Sequence, residues 1–320
     1  QPAPIRLWSR NTFPSSDEQK TMIHGVKWSP ENGEVKAVIQ LVHGMIEYIE
    51  RYTEFAEFLA DRGFVVMGHD HIGHGESVSS HSDWGIMHTS TPSETLVEDM
   101  FSNYKIIKEQ YPDKPYFILG HSMGSYLLRE YLCMKSSELK GVNGAILTGT
   151  GTLDDKTAKA GMKAIKFISA FRGYDYKSKT VTKLQYDKSY DGYSVDGSDP
   201  EKSWLSTNQE SVKKYYADPK DTFEFSLNGY RLLTDAAYYD NQAENIAKMN
   251  MDIPILFSSG EKDPVGGLGV GTTAAYQKFI DAGVKDCSIK LYEGDRHEIL
   301  QEMDRQTVFE DFYQWMSAHM

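Results

Sequence analysis

The segment Gly120–His121–Ser122–Met123–Gly124 has the residue types and spacing of a reactive serine. An apolar run at 116–119 precedes it and an amphipathic stretch at 125–134 follows it, which predicts a strand, a sharp turn and a helix. The two glycines allow a strained turn, because larger side chains would collide with the neighbouring strand and helix. A serine displayed in this way can attack a carbonyl carbon, whereas the alternative is an ordinary helix cap.

A nucleophilic serine needs a general base, and its position in the chain limits the choice. On an elbow of this kind a carboxylate and then a histidine follow the serine. Of ten histidines, only His297 and His319 lie beyond Ser122. His319 is the penultimate residue, past the last predicted helix, where we expect the chain to fray. His297 directly follows a predicted strand at 288–292, so we predict that it is the base, with a surface-loop histidine as the alternative.

The carboxylate that orients the base is expected in a loop after a strand. Asp263 follows the predicted strand at 253–257, and Glu261 in the same loop is the alternative. Asp295 is too close to His297 along the chain to approach its ring easily. We therefore predict a triad of Ser122, His297 and Asp263.

Two backbone amides are expected to bind the oxyanion that forms during attack. One belongs to Met123, directly after the serine at the start of a helix. The other belongs to Met45, in the loop that follows the predicted strand at 35–42. The neighbouring candidates for substrate contact are His43, Gly44 and His121.

A histidine-rich loop suggests a competing chemistry. His69, Asp70, His71 and His74 resemble a metal cluster, but few histidines remain elsewhere to complete it, and turn geometry around Gly73 and Gly75 explains the spacing. We predict neither a metal nor a cofactor. Cys133 and Cys287 lack metal-ligand spacing, and we expect two buried free thiols.

The order of elements predicts an α/β fold with a mostly parallel sheet covered by helices on both faces. Short apolar strands are expected at 35–42, 64–67, 116–119, 144–147, 253–257 and 288–292. Helices are expected at 50–61, 93–110, 125–134, 156–171, 272–281 and 304–316, with Ser93 as the N-cap of the second.

Residues 151–250 interrupt this alternation, since no buried strand is evident there. We predict three parts: a core portion at 1–150, a mainly helical cap at 151–250 and a second core portion at 251–320. A cap after a sheet strand would lie over the strand ends where ligands bind. The alternative is a helical subdomain that packs only on itself. Within it, one side of the helix at 156–171 carries Met162, Ile165, Ile168 and Phe171, expected to face lipid or to belong to the core.

With these residues in place, the sequence resembles bacterial monoacylglycerol lipases and lysophospholipases of the α/β-hydrolase superfamily. The resemblance covers roughly residues 20–150 and 250–318, and the cap follows the family only loosely. Its motifs are His43–Gly44–Met45 with Glu47 and Arg51–Tyr52, then 70–77, 120–124 and 296–300. It implies a capped serine hydrolase of single-chain acyl esters, with Ser122, Asp263 and His297 as triad and Met45 and Met123 as oxyanion amides.

Three functions remain open from the sequence. The first is hydrolysis of a monoacyl lipid ester through an acyl-enzyme, and a short-chain carboxylesterase is its variant. The second is a capped aminopeptidase, in which Glu47 or Glu261 would hold the substrate ammonium group. The third is a ligand-binding protein on a hydrolase scaffold, against which a complete triad argues.

Charge and hydropathy limit the partners. The net charge of −12 disfavours nucleic acid. No apolar run approaches the ~20 residues of a membrane span, although the cap could touch a membrane surface transiently. Gln1–Pro4 has no signal-peptide pattern, and we predict a cytoplasmic protein.

Overall fold

The computed structural model describes residues 8–31 and 34–320, so the segment Gln1–Pro4 lies outside the described residues. Eight strands form one sheet in the order β1-β2-β4-β3-β5-β6-β7-β8. From β4 to β8 in that order, neighbouring strands pair in parallel, whereas β2 pairs antiparallel with both of its neighbours, β1 and β4. The strands are β1 Trp8–Pro14, β2 Met22–Trp28, β3 Ala37–Val42, β4 Phe64–His69, β5 Tyr116–His121, β6 Val142–Thr148, β7 Ile255–Gly260 and β8 Cys287–Tyr292.

Alternate residues of the central strands face two separate apolar cores. In β5, Tyr116 and Ile118 belong to one buried cluster, and Phe117 and Leu119 belong to the other. This period of two is what a sheet covered on both faces requires. The continuous apolar runs that predicted the strands therefore correspond to strands buried on both sides.

Helices cover each face of the sheet. On one face α1 and α10 bury Phe55 and Phe309 against the sheet, and on the other α2, α3 and α9 bury Leu96, Leu127 and Phe279. The mostly parallel α/β sheet predicted from the sequence is confirmed. The helices are α1 Thr53–Ala60, α2 Pro92–Gln110, α3 Met123–Met134, α4 Asp155–Arg172, α5 Lys179–Leu184, α6 Gln209–Ala217, α7 Leu227–Asn241, α8 Ala243–Ile246, α9 Val270–Ala282 and α10 Arg305–Ala318.

Residues 151–250, called the insertion below, lie between β6 and β7 and contribute helices α4 to α8. The structure describes all of these residues, and none of them forms a strand of the sheet, as the sequence predicts. Their only β-type pairing is an isolated bridge between Ser194 and Ser203. Helix α7 packs against α4 within the insertion and against α2 and α3 of the core. The insertion is therefore fixed to the core along one long helix.

Several local expectations were wrong. The N-cap of α2 is Thr91 rather than Ser93, which lies inside the helix and donates to Glu130. Cys133 is buried, but Cys287 is only partly buried, because β8 is an edge strand. His319 does not fray, since its ring contacts Asp286 Oδ2 at 3.1 Å.

The apolar side of α4 is also divided rather than uniform. Ile165 is buried, and Met162 and Ile168 are partly buried. Phe171 turns outward instead and is 75% exposed, and Phe167 in the same helix is 68% exposed. One side of the helix therefore belongs to the core, and its aromatic end faces solvent.

Candidate active site

The chain turns sharply at Ser122, between β5 and α3. Ser122 has φ 52° and ψ −122°, a strained conformation for a residue with a side chain. Strain of this kind persists only where the surroundings enforce it, and it is typical of functional positions. The predicted elbow geometry is present, and it places the hydroxyl above the carboxyl end of the sheet.

Two glycines make room for this turn. A Cβ on Gly120 would lie 2.4 Å from the Gly124 carbonyl oxygen, and one on Gly124 would lie 2.3 Å from the Val42 carbonyl oxygen. Both distances are far inside van der Waals contact. The spacing in the motif therefore has the steric reason expected from the sequence: helix α3 starts directly against β5 and the end of β3.

The loops after β7 and β8 bring Asp263 and His297 together. His297 Nδ1 lies 3.0 Å from Asp263 Oδ1, and both side chains are almost fully buried. The carboxylate also accepts hydrogen bonds from the Ser259 hydroxyl and the Val265 amide, each at 2.9 Å. Asp263 is thus fixed by three donors, and it holds the imidazole with Nε2 free for another partner.

The His297 ring contacts two other rings. One is His121, with centroids 4.7 Å apart, and the other is Trp204 of the insertion, stacked at 5.0 Å. His121 directly precedes Ser122, so this contact sets the imidazole beside the elbow. Among the described residues no direct hydrogen bond joins the Ser122 hydroxyl to His297. In apo enzymes such contacts are often long and tighten when substrate binds.

Gly149, just after β6, leaves the space for these rings. Its φ is +57°, and a Cβ there would come within 2.8 Å of His121 Cε1 and 2.9 Å of His297 Cε1. Sequence reasoning missed this residue. Its only signal was a glycine at the end of a predicted strand.

Electrostatics favour a basic imidazole at His297. Burial disfavours the charged ring, but the Asp263 carboxylate, with smaller contributions from Glu298 and Glu47, outweighs it and raises the pKa of His297 above its usual 6.5. For His121, burial and the nearby His297 and Arg51 lower the pKa well below that value. The pKa values of these two adjacent histidines are thus shifted in opposite directions. Of the two rings, His297 is the one that binds a proton more readily.

The loop after β3 carries the second predicted oxyanion amide, that of Met45. The Gly44 amide donates to Glu47 Oε1, and Ile46 has φ 56°. Tyr215 of the insertion donates from its hydroxyl to the Ile46 carbonyl oxygen at 2.9 Å. A Cβ on Gly44 would lie 3.0 Å from Ser122 Cβ, so this loop passes directly beside the elbow.

A buried ionic cluster holds this loop, and the sequence analysis did not find it. The Arg51 guanidinium forms a bidentate pair with Glu298, at 2.6 and 2.9 Å. It also contacts Glu47 at 3.0 Å and, from the insertion, Asp221 at 3.5 Å. The cluster therefore connects the Met45 loop, the residue after His297 and the insertion.

The predicted substrate contacts have other partners in the structure. His43 is fully buried, with Nδ1 donating to the Gly44 carbonyl oxygen and Nε2 accepting from the His71 amide. His121 Nδ1 lies 3.1 Å from the Thr148 hydroxyl. These contacts support the loops around Ser122, and direct contact of His43, Gly44 or His121 with substrate stays a prediction.

Two sequence alternatives are disfavoured by position. Glu261 is half exposed, and its carboxylate faces Lys262 rather than His297. The histidines at 69, 71 and 74 are buried beside His43, where burial lowers the pKa of each. Across residues 8–31 and 34–320, no group of three or more His, Cys, Asp or Glu side chains is arranged to hold a metal ion.

Residues 33–304 match the family described as serine aminopeptidase, S33. The monoglyceride lipase of Mus musculus is 25% identical over 299 residues, which cover 91% of this chain and 85% of that protein. The monoacylglycerol lipase of Mycolicibacterium smegmatis is 26% identical over 298 residues, 92% of each chain.

Solved structures agree on the fold. A thermostable carboxyl esterase from Bacillus coagulans superposes with a TM-score of 0.83 at 26% identity, covering 98% of this chain and 99% of that one. A soluble variant of monoglyceride lipase from Saccharomyces cerevisiae, at 21% identity, gives a TM-score of 0.72 over 100% of this chain and 99% of its own. The second likeness concerns the fold alone.

Proposed function

We propose that this chain, which belongs to the α/β-hydrolase family described as serine aminopeptidase, S33, cleaves single-chain acyl lipids through a Ser122, His297 and Asp263 triad. It is a carboxylic-ester hydrolase similar to monoacylglycerol lipases. The observation that carries this proposal is the buried 3.0 Å contact between His297 and Asp263, set beside the strained Ser122. Monoacylglycerols and lysophospholipids are the proposed substrates.

The reaction follows from the arrangement of these groups. Ser122 Oγ attacks the ester carbonyl carbon while His297 Nε2 takes its proton, and Asp263 stabilises the imidazolium at Nδ1. The amides of Met45 and Met123 donate to the oxyanion of the tetrahedral intermediate. His297 then protonates the departing alcohol oxygen, which leaves an acyl-enzyme. Water, deprotonated by the same ring, releases the fatty acid and restores the serine.

The aminopeptidase alternative needs an acidic side chain that is free to bind an ammonium group, and neither predicted residue, Glu47 or Glu261, is free. The Glu47 carboxylate accepts from the Gly44 amide and the Tyr52 hydroxyl and pairs with Arg51. Glu261 pairs with Lys262 at the surface. Neither has the unengaged buried carboxylate that a substrate ammonium group would need, so an ester is the better substrate.

The test is a side-by-side assay of monoacylglycerols, lysophosphatidylcholine, short-chain esters and aminoacyl amides. We expect kcat/KM to rise along a chain-length series of esters, since each buried methylene contributes about 0.8 kcal/mol, or roughly fourfold. Aminoacyl amides should react at background rates. A flat chain-length series would reject a lipid substrate while leaving the triad intact.

We also propose that the insertion is a cap whose basic aromatic face, defined by Lys156, Lys159, Lys163, Lys166, Phe167 and Phe171 of α4, docks on an anionic lipid surface. Residues 155–188 carry nine Lys or Arg and three Asp, in a chain of net charge −12. Phe167 and Phe171 are 68% and 75% exposed. Among the described helices, none has the length and hydropathy to cross a bilayer. The face therefore has the composition of a peripheral contact.

Vesicle sedimentation tests this contact. Binding is expected to vesicles of phosphatidylglycerol and phosphatidylcholine, to weaken with salt, and to fall in Phe167→Ser/Phe171→Ser. Equal partition onto pure phosphatidylcholine would contradict the electrostatic part of the proposal. The cytoplasmic location predicted from the sequence stays a prediction.

A further inference from the structure

The insertion does not meet the His297 loop as a loosely resting lid. Two backbone hydrogen bonds join them: the His297 amide donates to the Trp204 carbonyl oxygen at 3.4 Å, and the Glu298 amide donates to the Leu205 carbonyl oxygen at 2.8 Å. The segment 203–208 therefore runs directly alongside residues 296–302. Leu205 is buried, so the pairing is shielded from water.

Side chains strengthen this pairing on both sides. Arg296 Nη1 donates to the carbonyl oxygens of Glu201, Ser203 and Ser206. The Glu302 carboxylate, which is fully buried, accepts from the amides of Thr207 and Arg296 at about 2.9 Å. A buried carboxylate with these donors is costly to expose, because separation would leave the donors and the charge unpaired. We therefore expect this contact to persist in the free enzyme and in its complexes.

Trp204 is the residue of this segment that reaches the reacting groups. Its indole stacks on the His297 ring, with centroids 5.0 Å apart and planes at 30°, and His121 contacts the same ring. Such a stack restricts rotation of the imidazole about its Cβ–Cγ bond. It also presents an electron-rich face to the ring that becomes positively charged when Ser122 gives up its proton.

We propose that Trp204 is a positioning residue for His297, and that residues 203–208 are a fixed part of the active site held by Arg296 and Glu302. The proposal rests on the triad proposed above. It divides the insertion into a base-holding segment at 203–208 and a separate lipid-facing part at α4.

The test compares Trp204→Leu with Trp204→Phe, which keeps an aromatic face. Two rates are measured: hydrolysis of a water-soluble short-chain ester, and covalent inactivation by a fluorophosphonate, which reads serine activation without an acyl site. For Trp204→Leu we expect both kcat and the inactivation rate to fall roughly 5- to 30-fold, with KM nearly unchanged. Trp204→Phe should recover most of the loss.

Arg296→Met provides a second route, which also covers the case in which Trp204→Leu fails to fold. It loosens the 203–208 segment without touching the ring, so kcat should fall by less than in Trp204→Leu. In the double variant the effects should be non-additive, because both act through the same ring.

Three outcomes would overturn the inference: a Trp204→Leu enzyme with normal kcat and a raised KM, a Phe variant no better than Leu, or full additivity with Arg296→Met. Failure of the triad itself looks different. In that case Ser122→Ala would keep its activity and its fluorophosphonate labelling, whatever happens at Trp204.

Discussion

Replacing Arg51 by Met removes the only cation from a cluster that also contains Glu47, Glu298 and Asp221. All four side chains are at most 9% exposed, and the three carboxylates lie 2.6–3.5 Å from the guanidinium. Removing one partner of a buried ion pair costs about 3–5 kcal/mol of unfolding free energy, because the charge left behind is desolvated. We expect a loss of this size for Arg51→Met at pH 8.

The loss should depend on pH in a defined direction. Burial already raises the pKa of Asp221 to about 8 and raises that of Glu47, and Arg51 opposes both shifts. Without the cation both pKa values rise further. The folded variant therefore keeps protons on these two carboxyl groups at pH values above about 4, where the unfolded chain releases them. The variant then loses stability as pH rises. The gap from the wild type should be smaller at pH 5.5 than at pH 8.

Urea unfolding followed by tryptophan fluorescence measures this gap at both pH values. Arg305→Met is the matched control, since Arg305 and Glu54 form an ion pair at 2.9 Å with side chains 28% and 50% exposed. We expect it to lose no more than about 1 kcal/mol. An Arg51→Met loss as small as that of the control at pH 8, or a gap that narrows as pH rises, would refute the reasoning.

Two further predictions concern His297. Gly149→Ala places a Cβ within 2.9 Å of the His297 ring and should lower kcat/KM by about 10² or more. Gly173→Ala is the control: its φ is also positive, at +79°, but no atom lies within 4 Å of the added Cβ, so it should lower only the stability. Equal activity in the two variants would contradict this. Because the pKa of His297 is raised and the base must be neutral, kcat/KM should fall with decreasing pH through an apparent pKa above 6.5; a limb at lower pH would count against His297.

The parts of the fold that could be predicted are those with strong local signals. Strands β3 to β8 are short apolar runs, and their boundaries moved by only a few residues. Strands β1 and β2 were missed. Trp8–Pro14 and Met22–Trp28 mix polar and apolar residues at the antiparallel edge, and no continuous apolar run marks them.

The same division holds for the candidate site. The sequence predicts Ser122 because its glycines have a local steric role, and it predicts Asp263 and His297 because strands precede them. The Arg51 cluster spans 247 residues between Arg51 and Glu298, and the Trp204 stack joins the insertion to a distant loop. No local period or spacing encodes such contacts, so only the folded chain reveals them.

The measurement that tests the central claim most directly is to identify the residue to which a fluorophosphonate binds covalently. Peptide mapping of the labelled protein should locate the adduct on Ser122, with labelling abolished in Ser122→Ala and slowed by several orders of magnitude in His297→Ala. An adduct on another residue, or a Ser122→Ala protein that still hydrolyses esters at the wild-type rate, would contradict the account.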